Sequence, residues 1–127
     1  MSEFHKYFGW AVPIGFGILA LWAIYSLIRN RQPHDRFWSL LGVMQVLVAI
    51  QVVVGAILLL MGLQPPPTDA PIWLHYAYGG LFPAALLMLA HRLGSTRFES
   101  VPWIPFGAAS FLICGLTVRA LMTGLGM

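Results

Sequence analysis

Residues 45–91 decide the fold: they read QVLVAIQVVVGAILLLMGL (45–63), QPPPTDAP (64–71) and IWLHYAYGGLFPAALLMLAH (72–91). The first and last of these segments are almost entirely apolar, and each has about the 20 residues that an α-helix needs to cross a bilayer. The segment between them is rich in proline, which lacks the backbone N–H that continues a helix. The stretch therefore predicts two membrane helices joined by a short turn.

Two more apolar stretches flank this hairpin. The four predicted helices cover approximately residues 7–29, 38–62, 72–92 and 102–124. The chain of 127 residues is 59% hydrophobic and 9% charged, whereas soluble domains carry about 25% charged residues. We therefore expect one all-α integral membrane domain, residues 1–127, formed by a single up-down bundle of four transmembrane helices. Pro13 and Pro83 should kink their helices, and Thr68 or Asp69 should cap the third.

The basic residues predict how the bundle is oriented. Arg29, Arg31 and Arg36 fall in the first predicted loop and Arg92 and Arg97 in the third, while the second loop has no lysine or arginine. Because basic loops stay on the cytoplasmic side, we expect loops one and three in the cytoplasm and both termini outside, in a prokaryotic-type inner or plasma membrane. These loops account for the net charge of +3, so nucleic acid is not an expected partner. We also expect no cleavable signal peptide, because the opening residues are not clearly basic.

Two histidines near the predicted outer ends of helices 1 and 3 are the candidate ligands of a cofactor. First and third helices of an up-down bundle stand diagonally across the core, so His5 and His75 could hold a flat macrocycle between them by binding its iron from both sides. Gly9 and Gly79 each follow a histidine by four residues, on the same helix face, and would make room for the ring. The alternative is that His75 is an interfacial residue bonded to a carbonyl and that His5 is solvated near the chain terminus.

The second and third helices resemble the hairpin found in each half of the haem A synthases. In that family a helix with glutamine and glycine, here Gln51-x-x-x-Gly55, precedes an outer loop and a helix opened by a haem-ligating histidine, here His75. The family also opens an earlier helix with Glu-x-x-His-Arg, and Glu3-Phe4-His5-Lys6 is similar, with its glutamate one residue closer and lysine for arginine. The resemblance covers approximately residues 3–92. It implies b-type haem with His5 and His75 as the axial ligands of the iron.

The differences between this chain and the haem A synthases determine which of the family's properties the resemblance implies. Haem A synthase looks like two such bundles joined, and this chain has one. The family's outer cysteine pair is absent, since Cys114 is the single cysteine, and Glu3 is shifted from the position of the family's catalytic carboxylate. The resemblance therefore implies haem binding rather than the synthase reaction, and no catalytic residue is assigned.

Three polar residues lie inside the predicted helices, and two of them, Arg119 and Gln51, have two interpretations each. Arg119 lies about five residues from the outer end of helix 4, or roughly 7 Å at 1.5 Å per residue, where it could bind a haem propionate or extend to the lipid headgroups. Gln51 shares a face with Gly55 and could approach a ligand, or, like Gln45, bond a neighbouring helix.

Two functions from different classes remain open. One is a b-type haem protein that exchanges electrons with a quinol or with partner subunits of a respiratory or photosynthetic complex. The other is a cofactor-free accessory subunit of such a complex. His34 and His91 are expected to be structural, because His91 closes a helix where a cation complements the dipole. The sequence shows no nucleophile–base pair, phosphate loop or metal-binding cysteine set, and leaves open whether the chain is an enzyme.

Overall fold

The computed structural model of the chain describes residues 2–67 and 71–126, and these residues form helices and no strands. The four long helices are Ser2–Arg29, Asp35–Leu60, Trp73–Ser95 and Trp103–Gly124. Each is long and apolar enough to cross a membrane. The predicted all-α fold with four membrane helices is therefore confirmed. The predicted cap at Thr68 or Asp69 lies outside the described residues.

The first helix begins earlier than its hydropathy predicts. It starts at Ser2 instead of at about residue 7, so that His5 is a helical residue. Its first turn carries Glu3, which stabilises the positive end of the helix dipole, and Lys6 lies 4.0 Å from Glu3. Polar residues can extend a helix beyond its apolar stretch because helix propensity depends on the side chain's shape more than on its polarity.

The third helix is not regular. Residues Trp73–Tyr76 and Phe82–Ser95 are α-helical, but Ala77–Leu81 form a π-helical turn. The N–H of Phe82 donates to the carbonyl of Ala77, five residues back. The turn immediately precedes Pro83, which has no N–H to donate and whose ring crowds the carbonyl of Gly79, four residues back. The wider π-helical turn relieves that crowding. Such turns are frequent at functional sites.

The helices pack as a square. The first helix packs against the second and the fourth, and the third packs mainly against the fourth and also touches the second. The first and third helices therefore stand diagonally, as expected. We call the end of the bundle that holds residues 2–10, 61–67 and 120–126 the terminal end, and the end that holds residues 29–36 and 92–102 the arginine end.

Large side chains fill the bundle unevenly. The hydrophobic core runs from the middle to the arginine end and includes Phe16, Leu19, Phe37, Phe106 and Ile113, each at most 5% exposed. Towards the terminal end, residues 3–11 and 72–82 have no buried member. The main hydrophobic cluster thus stops short of the level at which the two candidate histidines lie, and the buried residues nearer that end are Gln51, Leu58, Ala120 and Thr123.

Candidate functional site

His5 is fixed by the second helix. Its Nδ1 donates to the amide oxygen of Gln51 at 3.1 Å, and the amide nitrogen of Gln51 donates back to the carbonyl of His5, also at 3.1 Å. Gln51 is buried, at 7% exposure, and His5 is half-buried. The backbone carbonyl of His5 can only accept, so it fixes which way the amide points, and the amide oxygen then requires the hydrogen on Nδ1. In the neutral ring, Nε2 keeps its lone pair.

His75 is fixed in the same way by the fourth helix. Its Nδ1 donates to the backbone carbonyl of Ala120 at 2.9 Å. The hydroxyl of Thr123 donates to the same carbonyl at 2.8 Å and lies 3.5 Å from Nδ1. A backbone carbonyl can only accept, so the hydrogen of the neutral ring is on Nδ1 here as well. This is the carbonyl bond that the structural interpretation of His75 predicts, and it also leaves Nε2 with its lone pair.

The two rings meet at the centre of the terminal end. The ring centres of His5 and His75 are 6.0 Å apart, and the ring planes are inclined at 74°. Neither Nε2 makes a hydrogen bond with another described residue. The bundle thus brings together two imidazoles from diagonal helices, each held through Nδ1.

Two glycines lie directly against the histidine rings. A Cβ at Gly55 would be 3.5 Å from Cε1 of His5, and a Cβ at Gly124 would be 2.9 Å from Cε1 of His75. The contact at Gly55 is an ordinary van der Waals contact. The one at Gly124 is closer than real Cβ atoms come to other atoms. Gly55 and Gly124 belong to the second and fourth helices, so the small residues beside each ring come from the neighbouring helix.

Gly9 and Gly79 occupy different surroundings from those expected. A Cβ at Gly9 would meet Leu121 at 3.5 Å and Gln51 at 3.8 Å, and a Cβ at Gly79 would meet Ala120 at 3.3 Å. The absence of their side chains lets neighbouring helices approach, whereas the sequence predicts space for a ring. Both glycines nevertheless lie at the level of the histidine bonds, because their neighbours Gln51 and Ala120 make those bonds.

The two halves of the site repeat each other in sequence. His5 and Gln51 are 46 residues apart, and His75 and Ala120 are 45 residues apart. Each histidine is followed by glycine four residues later and proline eight residues later, and each partner by glycine four residues later. The matching sets are His5, Gly9, Pro13, Gln51, Gly55 and His75, Gly79, Pro83, Ala120, Gly124. The spacing is visible in the sequence, and it is the signal that could have identified Gly124.

Arg119 lies at the level of the histidine pair, as its position in the sequence predicts. It directly precedes Ala120, whose carbonyl binds His75, and it is half-buried. Within residues 2–67 and 71–126, Arg119 makes no ion pair; the one ion pair there is that of Lys6 with Glu3. Arg119 thus carries a forked donor one residue from the carbonyl that binds His75.

The other two histidines lie at the arginine end. Nε2 of His91 lies 2.7 Å from the amide oxygen of Gln45, and its ring meets Phe106 edge to face, with centres 4.8 Å apart. Nδ1 of His34 accepts from the backbone N–H of Arg36 at 3.2 Å and caps the second helix. These bonds agree with structural roles, and the two histidines are not paired with each other. No group of three or more metal-ligating side chains occurs among the described residues.

A cavity opens beside His75 at the terminal end. Its volume is about 320 Å³, and it is bounded by residues 64–67, by Pro71 and Ile72, and by His75 and Thr123. That volume is at the lower limit of small-molecule sites, which hold about 300–1,000 Å³. Comparison with protein-family models, with curated proteins and with solved structures found no significant match to the chain.

Proposed function

We propose that the chain is a b-type haem protein of the membrane, with His5 and His75 as the two axial ligands of the iron. The observation that carries this proposal is the pairing of two imidazoles, each donating through Nδ1 to a carbonyl-type oxygen. Histidines that bind metals almost always donate their other ring N–H to such a partner, which sets the tautomer and the orientation of the ring.

The distance between the rings suits a shared metal. Two metal–nitrogen bonds of about 2.0 Å separate the ligating nitrogens by about 4 Å. Adding the half-width of each imidazole places the ring centres roughly 6 Å apart, and the centres of His5 and His75 are 6.0 Å apart. Two protein ligands are sufficient for haem, because the porphyrin supplies the other four nitrogens.

The glycines beside the two rings support this proposal. When ligands come from diagonal helices, the ring plane runs towards the other two helices, here the second and the fourth. Gly55 and Gly124 are on those helices and lie against the histidine rings. The main hydrophobic cluster also stops below this level, so a bound ring would add to the packing of the terminal end. Arg119, which precedes Ala120 on the fourth helix, would donate to a propionate on that side.

Haem held by two histidines supplies one-electron transfer, and the cavity beside His75 suggests the electron partner. A quinol is apolar with a few polar oxygens, which matches a cavity bounded by prolines, Ile72 and the Thr123 hydroxyl. We therefore propose quinol oxidation or quinone reduction at this cavity. The Ile72→Trp substitution should fill it and slow reduction of the protein by quinol, with the spectrum unchanged.

The test of the proposed function is the visible spectrum of the purified protein, before and after reduction. A sharp Soret band that shifts on reduction is expected. His75→Ala should abolish it, and His5→Ala should abolish it or leave a five-coordinate iron. His91→Ala is the matched control and should leave the spectrum intact.

Two outcomes would overturn the assignment. If the folded protein, supplied with haem, shows no Soret band, the cofactor-free accessory subunit becomes the better description. If His91→Ala removes haem while His5→Ala does not, the site lies at the arginine end instead.

A further inference from the structure

A second cavity lies at the arginine end, away from the histidine pair. Its volume is about 210 Å³, and it is bounded by the end of the first helix and by the loop that follows, as far as His34, which caps the second helix. The polar residues that bound it include Ser26, Arg29, Arg31, Gln32 and His34. Since a water molecule occupies about 30 Å³ of liquid volume, the cavity has room for a phosphate group and several waters.

The backbone turn after the first helix forms one wall of this cavity. Asn30 adopts a left-handed conformation with φ of 53°, its N–H donates to the carbonyl of Leu27 at 3.1 Å, and the N–H of Arg31 donates to the carbonyl of Ser26 at 3.0 Å. This is the Schellman pattern of a helix C-terminus, in which asparagine can replace glycine. The turn reverses the chain so that Arg31 returns beside the buried Ser26 and near Arg29.

The lining presents donors to an anion. Arg29 and Arg31 form no ion pair within the described parts of the chain. Because Nδ1 of His34 accepts the N–H of Arg36, the neutral ring of His34 carries its hydrogen on Nε2, which adds a third donor group. Asp35 follows His34 but does not line the cavity. Guanidinium groups bind phosphate oxygens in a forked geometry.

An apolar strip leads from the cavity along the membrane-spanning part of the first helix. Leu21, Ile24, Tyr25 and Ile28 are exposed, at 45–77%, and their spacing places them on one helix face. Tyr25 also lines the cavity, and the guanidinium of Arg29 lies 5.8 Å from the centre of its ring. An acyl chain can lie along this strip, whereas a free phosphate would not use it.

We propose that this cavity binds the phosphate headgroup of an anionic phospholipid, with its acyl chains along the apolar strip of the first helix. Basic pockets at the ends of membrane helices recognise such headgroups. The site is independent of the proposed haem site, which lies at the opposite end of the bundle.

The experiment is native mass spectrometry of the purified full chain in detergent, titrated with phosphatidylglycerol or with phosphatidylcholine. The wild type should bind one phosphatidylglycerol about 30-fold more tightly than phosphatidylcholine, as expected for two basic side chains at a membrane surface that contribute about 1 kcal/mol each. R29Q/R31Q should lose this preference. R36Q/R97Q removes the same charge from residues that do not line the cavity, and it should keep the preference.

Other outcomes would overturn the proposal. Equal binding of both lipids by the wild type would exclude the site, and equal loss in R36Q/R97Q would mean that diffuse charge is responsible. If inorganic phosphate binds as tightly as phosphatidylglycerol, the ligand is a free phosphate and not a lipid. Should R29Q/R31Q fail to fold, R29K/R31K retains the charge without the forked donors and should still weaken binding; unchanged binding would contradict the site.

Discussion

Gln51 and His5 are joined by two hydrogen bonds, one from the imidazole Nδ1 to the amide oxygen and one from the amide nitrogen to the histidine carbonyl, each 3.1 Å long. One buried side chain therefore fixes both the ring of His5 and the backbone that carries it. The ring cannot rotate about its side-chain torsions without breaking the first bond. This pair links the second helix to the first at the level of the proposed iron.

The first prediction follows from that pair. Gln51→Leu removes both bonds and should weaken haem retention by about 10–100-fold, the usual effect of removing a residue that orients a metal ligand. Haem titration of the purified protein measures the change. Gln45→Leu is the matched control, because the amide oxygen of Gln45 lies 2.7 Å from Nε2 of His91 at the arginine end. An equal loss in both variants would show that general destabilisation is the cause.

A second prediction concerns the glycines beside the rings. Gly124→Ala places a Cβ 2.9 Å from Cε1 of His75, whereas Gly55→Ala places one 3.5 Å from Cε1 of His5. The first substitution should displace the His75 ring from the Ala120 carbonyl and reduce haem content several-fold, and the second should have a smaller effect. Gly115→Ala, on the same helix as Gly124 and with no atom within 4 Å of its added Cβ, should leave haem content unchanged. The reverse order of effects would contradict the role of Gly124.

Sequence reasoning predicted the parts of the fold that depend on composition. Four apolar stretches of membrane length predict four helices, and their connection predicts that the first and third stand diagonally. That was sufficient to predict that His5 and His75 could meet. It was not sufficient to predict the exact surroundings of Gly9 and Gly79, because the space at a helix face depends on what the neighbouring helix presents there.

No residue type in the sequence indicates which group His75 bonds to. His75 donates to a backbone carbonyl, that of Ala120, and every residue has a carbonyl, so only the packing of the fourth helix selects it. The π-helical turn of Ala77–Leu81 was also not predicted, although Pro83 indicated an irregularity in that helix. The repeated His–Gly–Pro spacing was available in the sequence, and it would have directed attention to Gly124 by analogy with Gly55.

A third prediction addresses stability at the opposite end of the bundle. A Cβ at the buried Gly107 would overlap the Cβ of Ala23 on the first helix, where neither backbone can easily move. Gly107→Ala should therefore destabilise the bundle by about 1–3 kcal/mol, as overpacking does. Thermal unfolding in detergent, followed by helical circular dichroism, measures it. Gly42→Ala adds a Cβ with no neighbour within 4 Å and should be nearly neutral; equal midpoints for the two variants would contradict the close packing.

A fourth prediction is the orientation in the membrane. The concentration of arginine in the first and third loops favours a cytoplasmic arginine end and a terminal end that faces outside. A reporter fused after Met127 should therefore behave as external, and one inserted after Arg97 as cytoplasmic. Cytoplasmic activity of the reporter after Met127 would reverse the orientation and place the proposed quinol cavity on the inner side.

The last prediction concerns Arg119, which is half-buried and lies one residue before the Ala120 carbonyl that binds His75. If its guanidinium binds a haem propionate, the bond is a charge-assisted one, worth about 1.5–3 kcal/mol. A nearby positive charge also disfavours the oxidised iron, which is the more positive state. Arg119→Gln should then weaken haem retention and lower the midpoint potential, by an amount on the order of tens of millivolts.

The control for Arg119 is the loss of the same charge far from the iron. Arg97→Gln removes an arginine at the opposite end of the bundle and should leave the potential unchanged. Redox titrations of the wild type and both variants in one detergent compare them directly. If Arg119→Gln and wild type give identical curves, the guanidinium extends to the lipid headgroups instead, because an anchoring charge held in water would be screened from the iron.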